Sequence, residues 1–432
     1  MRLFGTSGIR RVVDESLLSL CFRVGLAVGR TYGAVAVGRD TRTSGNALEH
    51  AVVAGLLAAG ARCDVLGIVP TPTLAFLTRE YGAGVMITAS HNPPEYNGVK
   101  LWNPDGSSFD TAQQEQIEEM VLAEASPLAG WELMRGAGRR DGAVERHLER
   151  IKQDFPESVG AKVVVDAGCG AAALVTPRLL RELGAEVLAL DCYPSGFFPR
   201  GIEPTAENLV NLSRTVVSAR AAVGIAHDGD ADRMMAVDEK GRFISGDRLL
   251  ALLAGEMDAR EIVTTLDASM ALEEMGFRVR RTPVGDTYIS AAIRKDGGDF
   301  GGEASGAWVF PAVSFCPDGI YAAALLAALA GKKKLSALAD GVPAYPILRG
   351  TVSRRGIDID DIEKRLLPLK PRVVSRIDGI QLDFKDGWLL VRASGTEPKV
   401  RLTAEARTEA RARELYDAGL KAVQSPVEDR AG

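Results

Sequence analysis

Short runs of β-branched and other apolar residues alternate, along the first three-quarters of the chain, with stretches whose apolar positions recur every three to four residues. The run AVAVGRD (34–40) ends in a charge, ALEHAVVAGLLAAGA has helical periodicity and stops at Gly60, and RCDVLGIV follows. The same order returns as AKVVVDAG (161–168), LVTPRLLRELGA and EVLALD, and again, more compactly, as EIVTTLD (261–267), ASMALEEMG and FRVRRTPV. Apolar runs of this length predict buried strands, and the glycine closing each periodic stretch predicts a left-handed helix end. Strand–helix–strand with such short links predicts right-handed crossovers and mostly parallel sheets.

Each unit runs on into a loop crowded with polar residues: GVMITASHNP (84–93), AAVGIAHDGDADR (221–233) and GGDFGGEASG (297–306). Ligands of open α/β sheets sit beyond the carboxyl ends of strands, so three such units aim three loops into one shared cleft. After about residue 345 the rhythm changes. GKKKLSALADGVPAYP (331–346) reads as a connector, and short strands (GIQLDF, GWLLVRA, KVRLTAEA) lead to a last amphipathic helix, a smaller α+β domain with its own polar loop, RASGTEPKVR (392–401). The fold class expected is therefore α/β: three similar mixed α/β sheet domains plus a smaller C-terminal α+β domain around a central cleft. The boundaries expected are 1–145, 146–245, 246–343 and 344–432.

Composition narrows the partners. The 432 residues are 46% hydrophobic and 25% charged with a formal net charge of −5, which disfavours nucleic acid and anionic membrane surfaces. Cys21, Cys63, Cys169, Cys192 and Cys316 are scattered without a CxxC pair, the usage of reduced cytosolic thiols rather than of a disulfide or zinc framework. The longest apolar run, IYAAALLAALAG from 320, is too short to span a bilayer, and a polar stretch begins within four residues of the N-terminus. A soluble cytoplasmic protein, monomeric or homodimeric, acting on a small molecule is expected.

The loops carry the chemistry. In TASHNPPEYNGVK (88–100), Ser90 and His91 are neighbours, and adjacent side chains on extended backbone point to opposite faces, which argues against a hydrolytic triad built from them. In DGDAD, Asp228, Asp230 and Asp232 alternate, so extended backbone would turn all three carboxylates one way. Such a set repels itself unless a cation sits among them, and hard oxygen ligands select Mg²⁺ or Ca²⁺. An EF-hand is excluded because Arg233 stands where that loop needs glycine. Magnesium is preferred, being held by a few carboxylates plus a phosphate oxygen. Arg392, Ser394, Gly395, Thr396 and Arg401 have the chemistry of an anion cradle, and FGTSGIR (4–10) repeats it with Arg10 as donor. Glu303 and Ser305, between glycines, suit neighbouring sugar hydroxyls. Taken singly, each of these loops reads as well as an ordinary turn. VVVDAGCGAAA (163–173) approaches the glycine-rich turn of methyltransferases and dinucleotide folds but lacks the full G-x-G-x-x-G, and reads better as close helix–strand packing.

Jointly the loops specify phosphoryl transfer on a phosphosugar. TASHNP, DGDADR, GEASG and RASGTEP, in that order, with FGTSGIR and NGVK beside them, closely resemble the α-D-phosphohexomutase superfamily over essentially the whole chain. The resemblance implies an enzyme of the isomerase class that interconverts hexose 6-phosphate and hexose 1-phosphate. Ser90 would be the phosphoserine, hexose 1,6-bisphosphate the intermediate and activator, and Mg²⁺ bound by Ser90, Asp228, Asp230 and Asp232 the cofactor. It implies catalytic roles for Lys100 as general base or acid, His91 assisting it, and Arg10. Arg233, Gly285, Asp286, Glu303, Ser305, Arg392, Ser394, Gly395, Thr396 and Arg401 would bind substrate. Two departures bear on the sugar. Ala307 stands where relatives often carry histidine, and TPVGDTY (282–288) is similar to phosphoglucosamine mutases. Glucosamine phosphate is the substrate expected, with a phosphomannomutase/phosphoglucomutase as the alternative and a non-catalytic sugar-phosphate-binding protein as the remote one.

Overall fold

The computed structural model describes residues 3–5, 8–123, 127–353, 359–393 and 399–424. Ala34–Arg39, the helix Gly45–Ala58 and Arg62–Ile68 form the first unit. Lys162–Asp166, Thr176–Glu182 and Glu186–Leu190 form the second, and Glu261–Thr265, Ala271–Glu274 and Arg278–Thr282 the third. The two strands of each pair in parallel, Val35 beside Cys63, Val163 beside Val187 and Ile262 beside Val279. Gly60, Gly184 and Gly276 close the helical stretches at φ of 74°, 87° and 87°, where a side chain would be strained.

A third parallel strand flanks each pair: Ala83–Ile87, Val223–His227 and Phe300–Gly302. Each of these turns back into an antiparallel partner, Tyr96–Trp102, Met234–Asp238 and Trp308–Val309. With parallel pairs in the majority, the three sheets are therefore mixed, as expected. The reason is topological, since a short loop between sheet neighbours permits only antiparallel return. The TASHNP, DGDADR and GEASG loops are these three turns, one at the same place in each sheet.

Val35 and Val37 face a layer built by the helices Glu15–Tyr32 and Gly45–Ala58, while Ala36 faces a second core shared with the next two domains. Burial on both faces removes polar alternation, which is why these strands read as unbroken apolar runs. The shared core joins Leu74 and Leu77 to Val163 and Val165 and to Ile262, Phe300 and Trp308. A buried polar contact marks the same junction. His147 lies 3.0 Å from Thr73 Oγ1 and 2.9 Å from Asp318 Oδ2, one side chain from each of the three sheet domains. The C-terminal domain has an all-antiparallel sheet, in the order Ile347–Ser353, Lys399–Ala406, Gly387–Ala393, Ile380–Asp383 and Val373–Ser375, with the helices Ile359–Leu366 and Glu409–Gln424 and a core of its own.

Segment 331–346 is not a plain connector: it contains the helix Leu335–Gly341, which buries Leu335 and Ala339. The expected divisions at 245/246 and 343/344 fall between elements, whereas 145/146 falls inside the helix Ala143–Lys152. All five cysteines are free, and among the described residues no helix is long and apolar enough to cross a membrane.

One glycine couples this frame to the cleft. Gly98 pairs with Arg10 across strands Tyr96–Trp102 and Ile9–Val12, and a Cβ there would lie 1.8 Å from the Ile9 carbonyl oxygen. Gly98→Ala must push the first strand, and Arg10 with it, away from the sheet. Overpacking of this kind costs about 1–3 kcal/mol. We expect the melting temperature to fall and turnover to fall further than the stability loss explains, measured by calorimetry and steady-state assay of the same preparation.

Candidate active site

Ser90 follows the strand Ala83–Ile87 in a left-handed conformation, φ 52°, and is buried. Non-glycine residues hold such a conformation only when their surroundings over-determine it. Here the surroundings are a buried ion pair. Asp40 accepts from the Arg42 backbone N–H (3.0 Å) and Nε (3.2 Å) and from Thr88 Oγ1 (2.7 Å), which in turn accepts the Ser90 N–H at 2.8 Å. Arg42 then donates to four carbonyls of the loop: Ser90 (2.9 Å), Asn92 (2.6 Å), Pro93 (2.7 Å) and Tyr96 (2.8 Å). Proline stiffness is thus the smaller part of what fixes Ser90. Sequence reasoning missed Arg42, although GRDTR (38–42) offered a signal: a strand of buried character ending in two charges of opposite sign.

The left-handed turn also corrects the expectation that Ser90 and His91 face apart. With φ positive the two side chains come to one side, and Ser90 Oγ lies 3.3 Å from His91 Nδ1. Burial, then the charges of Arg233, Arg10 and Lys100, push His91 down to about 2, so it is neutral.

Ser90 Oγ donates to Asp228 Oδ2 at 2.7 Å. Asp228, Asp230 and Asp232 are all buried, with one oxygen of each lying within 4.8 Å of the others. The segment is not extended, as expected from alternation, but bent, with Ala231 at φ 60°. Extended backbone would spread alternate carboxylates along a line, whereas the bend draws them to a point. Lys100, on the neighbouring antiparallel strand, donates to Asp230 Oδ2 at 2.8 Å and Asp232 Oδ2 at 2.5 Å. Burial works against the Lys100 charge, but Asp230 and Asp232 outweigh it and raise its pKa, so in this arrangement Lys100 is a proton donor rather than a base. Burial likewise opposes ionisation of Asp230, and Lys100 overcomes it. Asp228 has no such partner: burial, then Asp232 and Asp230, raise its pKa far above the ordinary carboxyl range.

Two buried oxygens, Asp230 Oδ1 and Asp232 Oδ1, have no hydrogen-bond partner. Unpartnered carboxylate oxygens at the centre of an acidic cluster are what a small hard cation would satisfy, so the residues present fit Mg²⁺.

Arg10 Nη1 donates to Asn92 Oδ1 at 3.1 Å, beside Ser90, and Arg233 Nη1 to Glu203 Oε1 at 3.0 Å. Burial works against the Arg233 charge, but Glu303, Asp232, Asp228 and Glu203 raise its pKa. Ala307 forms an isolated backbone bridge with Arg233, which brings the third loop onto the second. Ser305 Oγ donates to Glu303 Oε1 at 2.8 Å. Burial and then the charge of Asp286, first residue of the helix Asp286–Asp296, push Glu303 up to about 7. Gly285 precedes it at φ 140°.

Arg392 and Arg401 stand directly opposite each other on paired strands and line a cavity of about 290 Å³ with Asp267, Arg349 and Thr351. Like charges at opposed positions repel, and an anion between them removes the cost. Arg349 was not foreseen from the sequence. Ser394, Gly395 and Thr396 lie outside the described residues.

A carboxyl raised on folding contributes stability at low pH that is lost as pH rises. Metal-free protein is therefore destabilised by Asp228 from about pH 4 upward. Asp228→Asn keeps an acceptor for Ser90 and removes the charge. In chelator at pH 7 it should melt at or above wild type, while its magnesium affinity, read by calorimetry, weakens on the order of 10-fold or more. A lower melting point in chelator together with unaltered magnesium binding would contradict this reading of the cluster.

Comparison with known proteins matches four domains in order along the chain. The phosphoglucomutase/phosphomannomutase alpha/beta/alpha domains I, II and III match residues 1–127, 145–241 and 245–345, and the C-terminal domain matches 331–421. The chain is 46% identical to a probable phosphoglucosamine mutase of Methanosarcina acetivorans, over 99% of this chain and 100% of that one. It is also 46% identical to one of Methanococcoides burtonii, over 94% and 96%. Among solved structures, a phosphoglucomutase/phosphomannomutase family protein from Burkholderia thailandensis superposes with a TM-score of 0.86 at 28% identity, covering 99% of this chain and 98% of its own. A putative phosphomannomutase from Thermus thermophilus gives 0.82 at 28%, covering 98% and 99%. Four domains matched in order, on a cleft whose three turns and arginine-lined groove have been described, make this chain a member of the phosphoglucomutase/phosphomannomutase family of phosphosugar mutases.

Proposed function

We propose that the protein interconverts glucosamine 6-phosphate and glucosamine 1-phosphate, with Ser90 as phosphoryl carrier. The observation that carries this reading is the Ser90 hydroxyl, held at an unusual φ and aimed 2.7 Å from Asp228 at the buried carboxylate cluster. The choice of sugar is supported by the relatives named above and by the mutual electrostatic influence of the carboxylates Asp286 and Glu303, which suits an ammonium-bearing sugar better than a neutral one.

In the first half-reaction the bond from phosphorus to Ser90 Oγ breaks and one forms to the free sugar hydroxyl, whose proton passes, overall, to the departing Ser90 Oγ. The bisphosphate turns over, and the reverse transfer returns its other phosphate to Ser90. Asp228, Asp230, Asp232 and the Ser90 phosphate would hold Mg²⁺, which when bound would supply charge stabilisation to the transferring group. Arg10 and His91 flank the serine. Lys100 carries its proton while Asp230 and Asp232 face it, whereas burial and Arg10 pull the other way, so it is the proton-transfer group whose state those two carboxylates control. Arg392 and Arg401, with Ser394, Gly395 and Thr396, grip the phosphate that is not being transferred. Hexose 1,6-bisphosphate charges Ser90 in protein that has lost its phosphate.

The test is a panel of glucosamine, glucose and mannose 6-phosphates with catalytic bisphosphate. Glucosamine 6-phosphate should have the highest kcat/KM, and Ser90→Ala should abolish turnover and the added phosphate seen by intact mass. Arg401→Ala should lower kcat/KM in both directions by about 10- to 100-fold, the loss of one charge-assisted hydrogen bond. Full activity in Ser90→Ala refutes the carrier role, and a preference for mannose or glucose phosphate refutes the sugar.

A further inference from the structure

Asp378 belongs to none of the motifs above. It lies in the turn between Val373–Ser375 and Ile380–Asp383, and its Oδ2 accepts two hydrogen bonds at once. One comes from Arg392 Nη1 at 3.0 Å, within the C-terminal domain. The other comes from the backbone N–H of Val284, also at 3.0 Å, in the third domain and immediately before Gly285 and Asp286. A single carboxylate oxygen therefore joins the arginine of the phosphate groove to the loop that carries Asp286.

The C-terminal domain is anchored to the third domain elsewhere as well. Glu405 accepts from Ser269 Oγ (2.5 Å), the Met270 N–H (2.8 Å) and Trp388 Nε1 (2.7 Å), and Trp388 and Leu390 pack on Leu266. This anchor is buried and largely apolar. Trp388 and Arg392 are four residues apart on one strand, about 13 Å at strand rise. The two attachments differ in kind, one a buried anchor and the other a charge contact at half-buried side chains, and Arg349 and Arg407 add further polar contacts between the same two domains.

Resting on the mutase reading, we infer that Asp378 is a positioning residue for the distal-phosphate grip: it orients Arg392 and docks the C-terminal domain on the 284–286 loop, so that phosphate grip and sugar reading are set together. An anion reaching Arg392 meets a guanidinium already turned by Asp378. Without the carboxylate, Arg392 keeps its charge but loses its orientation, and the domain keeps its anchor but loses its contact with the 284–286 loop. The effect belongs to binding and retention of phosphosugars, not to the chemistry at Ser90.

The test compares wild type, Asp378→Ala and Asp378→Asn in the full-length protein. For Asp378→Ala, KM for the sugar monophosphate should rise about 10-fold, the effect of one charge-assisted hydrogen bond, with kcat changed less than KM. Release of bisphosphate per turnover should rise severalfold and the melting temperature should hold. Asp378→Asn, which keeps an acceptor for the Val284 N–H but not the charge, should fall between. Unchanged KM and unchanged bisphosphate release in Asp378→Ala overturn the inference, as does a fall in kcat and melting temperature with KM unmoved. If wild type turns over no hexose phosphate, the mutase reading itself has failed. Calorimetric binding of glucose 1,6-bisphosphate then decides on Asp378, a weaker Kd in Asp378→Ala supporting it and an equal one overturning it.

Discussion

Three carboxylates buried together, one of them 2.7 Å from the Ser90 hydroxyl, are the constraint on which the rest of this structure depends. Asp228, Asp230 and Asp232 cannot all ionise in a dry site without compensation, and the compensation in view is unequal. Lys100 satisfies one oxygen each of Asp230 and Asp232, Arg10 and Arg233 contribute charge from the flanks, and two oxygens remain unpartnered. A site balanced in this way favours a divalent cation and a polyanionic ligand together over either alone. That is the electrostatic requirement of phosphoryl transfer.

Holding such a cluster in place takes a rigid frame, and each sheet domain supplies one arginine to build it. Arg42, paired with Asp40, fastens four carbonyls of the serine loop. Arg200, paired with Asp166, donates to the carbonyls of His227 and Gly201 at the root of the acidic loop. In the third domain Arg281, paired with Glu273, donates to the carbonyls of Thr265, Ala268 and Ser269. Each carbonyl so occupied is a backbone group that would otherwise seek water or drift. Rigid loops on a shared core and a C-terminal domain attached by a buried anchor divide the work between chemistry and grip.

Much of this was legible in the chain. Unbroken apolar runs and closing glycines mark the three units because their sheets are buried on both faces, and the acidic and serine loops stand out by composition. What escaped did so for physical reasons. Helix Leu335–Gly341 hides among lysines because it is too short for periodicity to declare itself. Ser90 beside His91 was misjudged because extended geometry was assumed where φ is 52°. Arg200 and Asp378 were invisible because a charged residue with a buried partner and one on the open surface have the same letter, and only the fold supplies their partners. Part of the anion cradle, residues 394–398, lies outside the described residues.

The central claim is that phosphate passes through Ser90 and that the sugar turns over between two transfers. Protein carrying labelled phosphate on Ser90, mixed with unlabelled glucosamine 6-phosphate and quenched after a single turnover, tests it most directly. The account predicts label at the 1-position of the product and an unlabelled phosphate, taken from the 6-position, on Ser90. Label retained on Ser90 while unlabelled glucosamine 1-phosphate accumulates would contradict it.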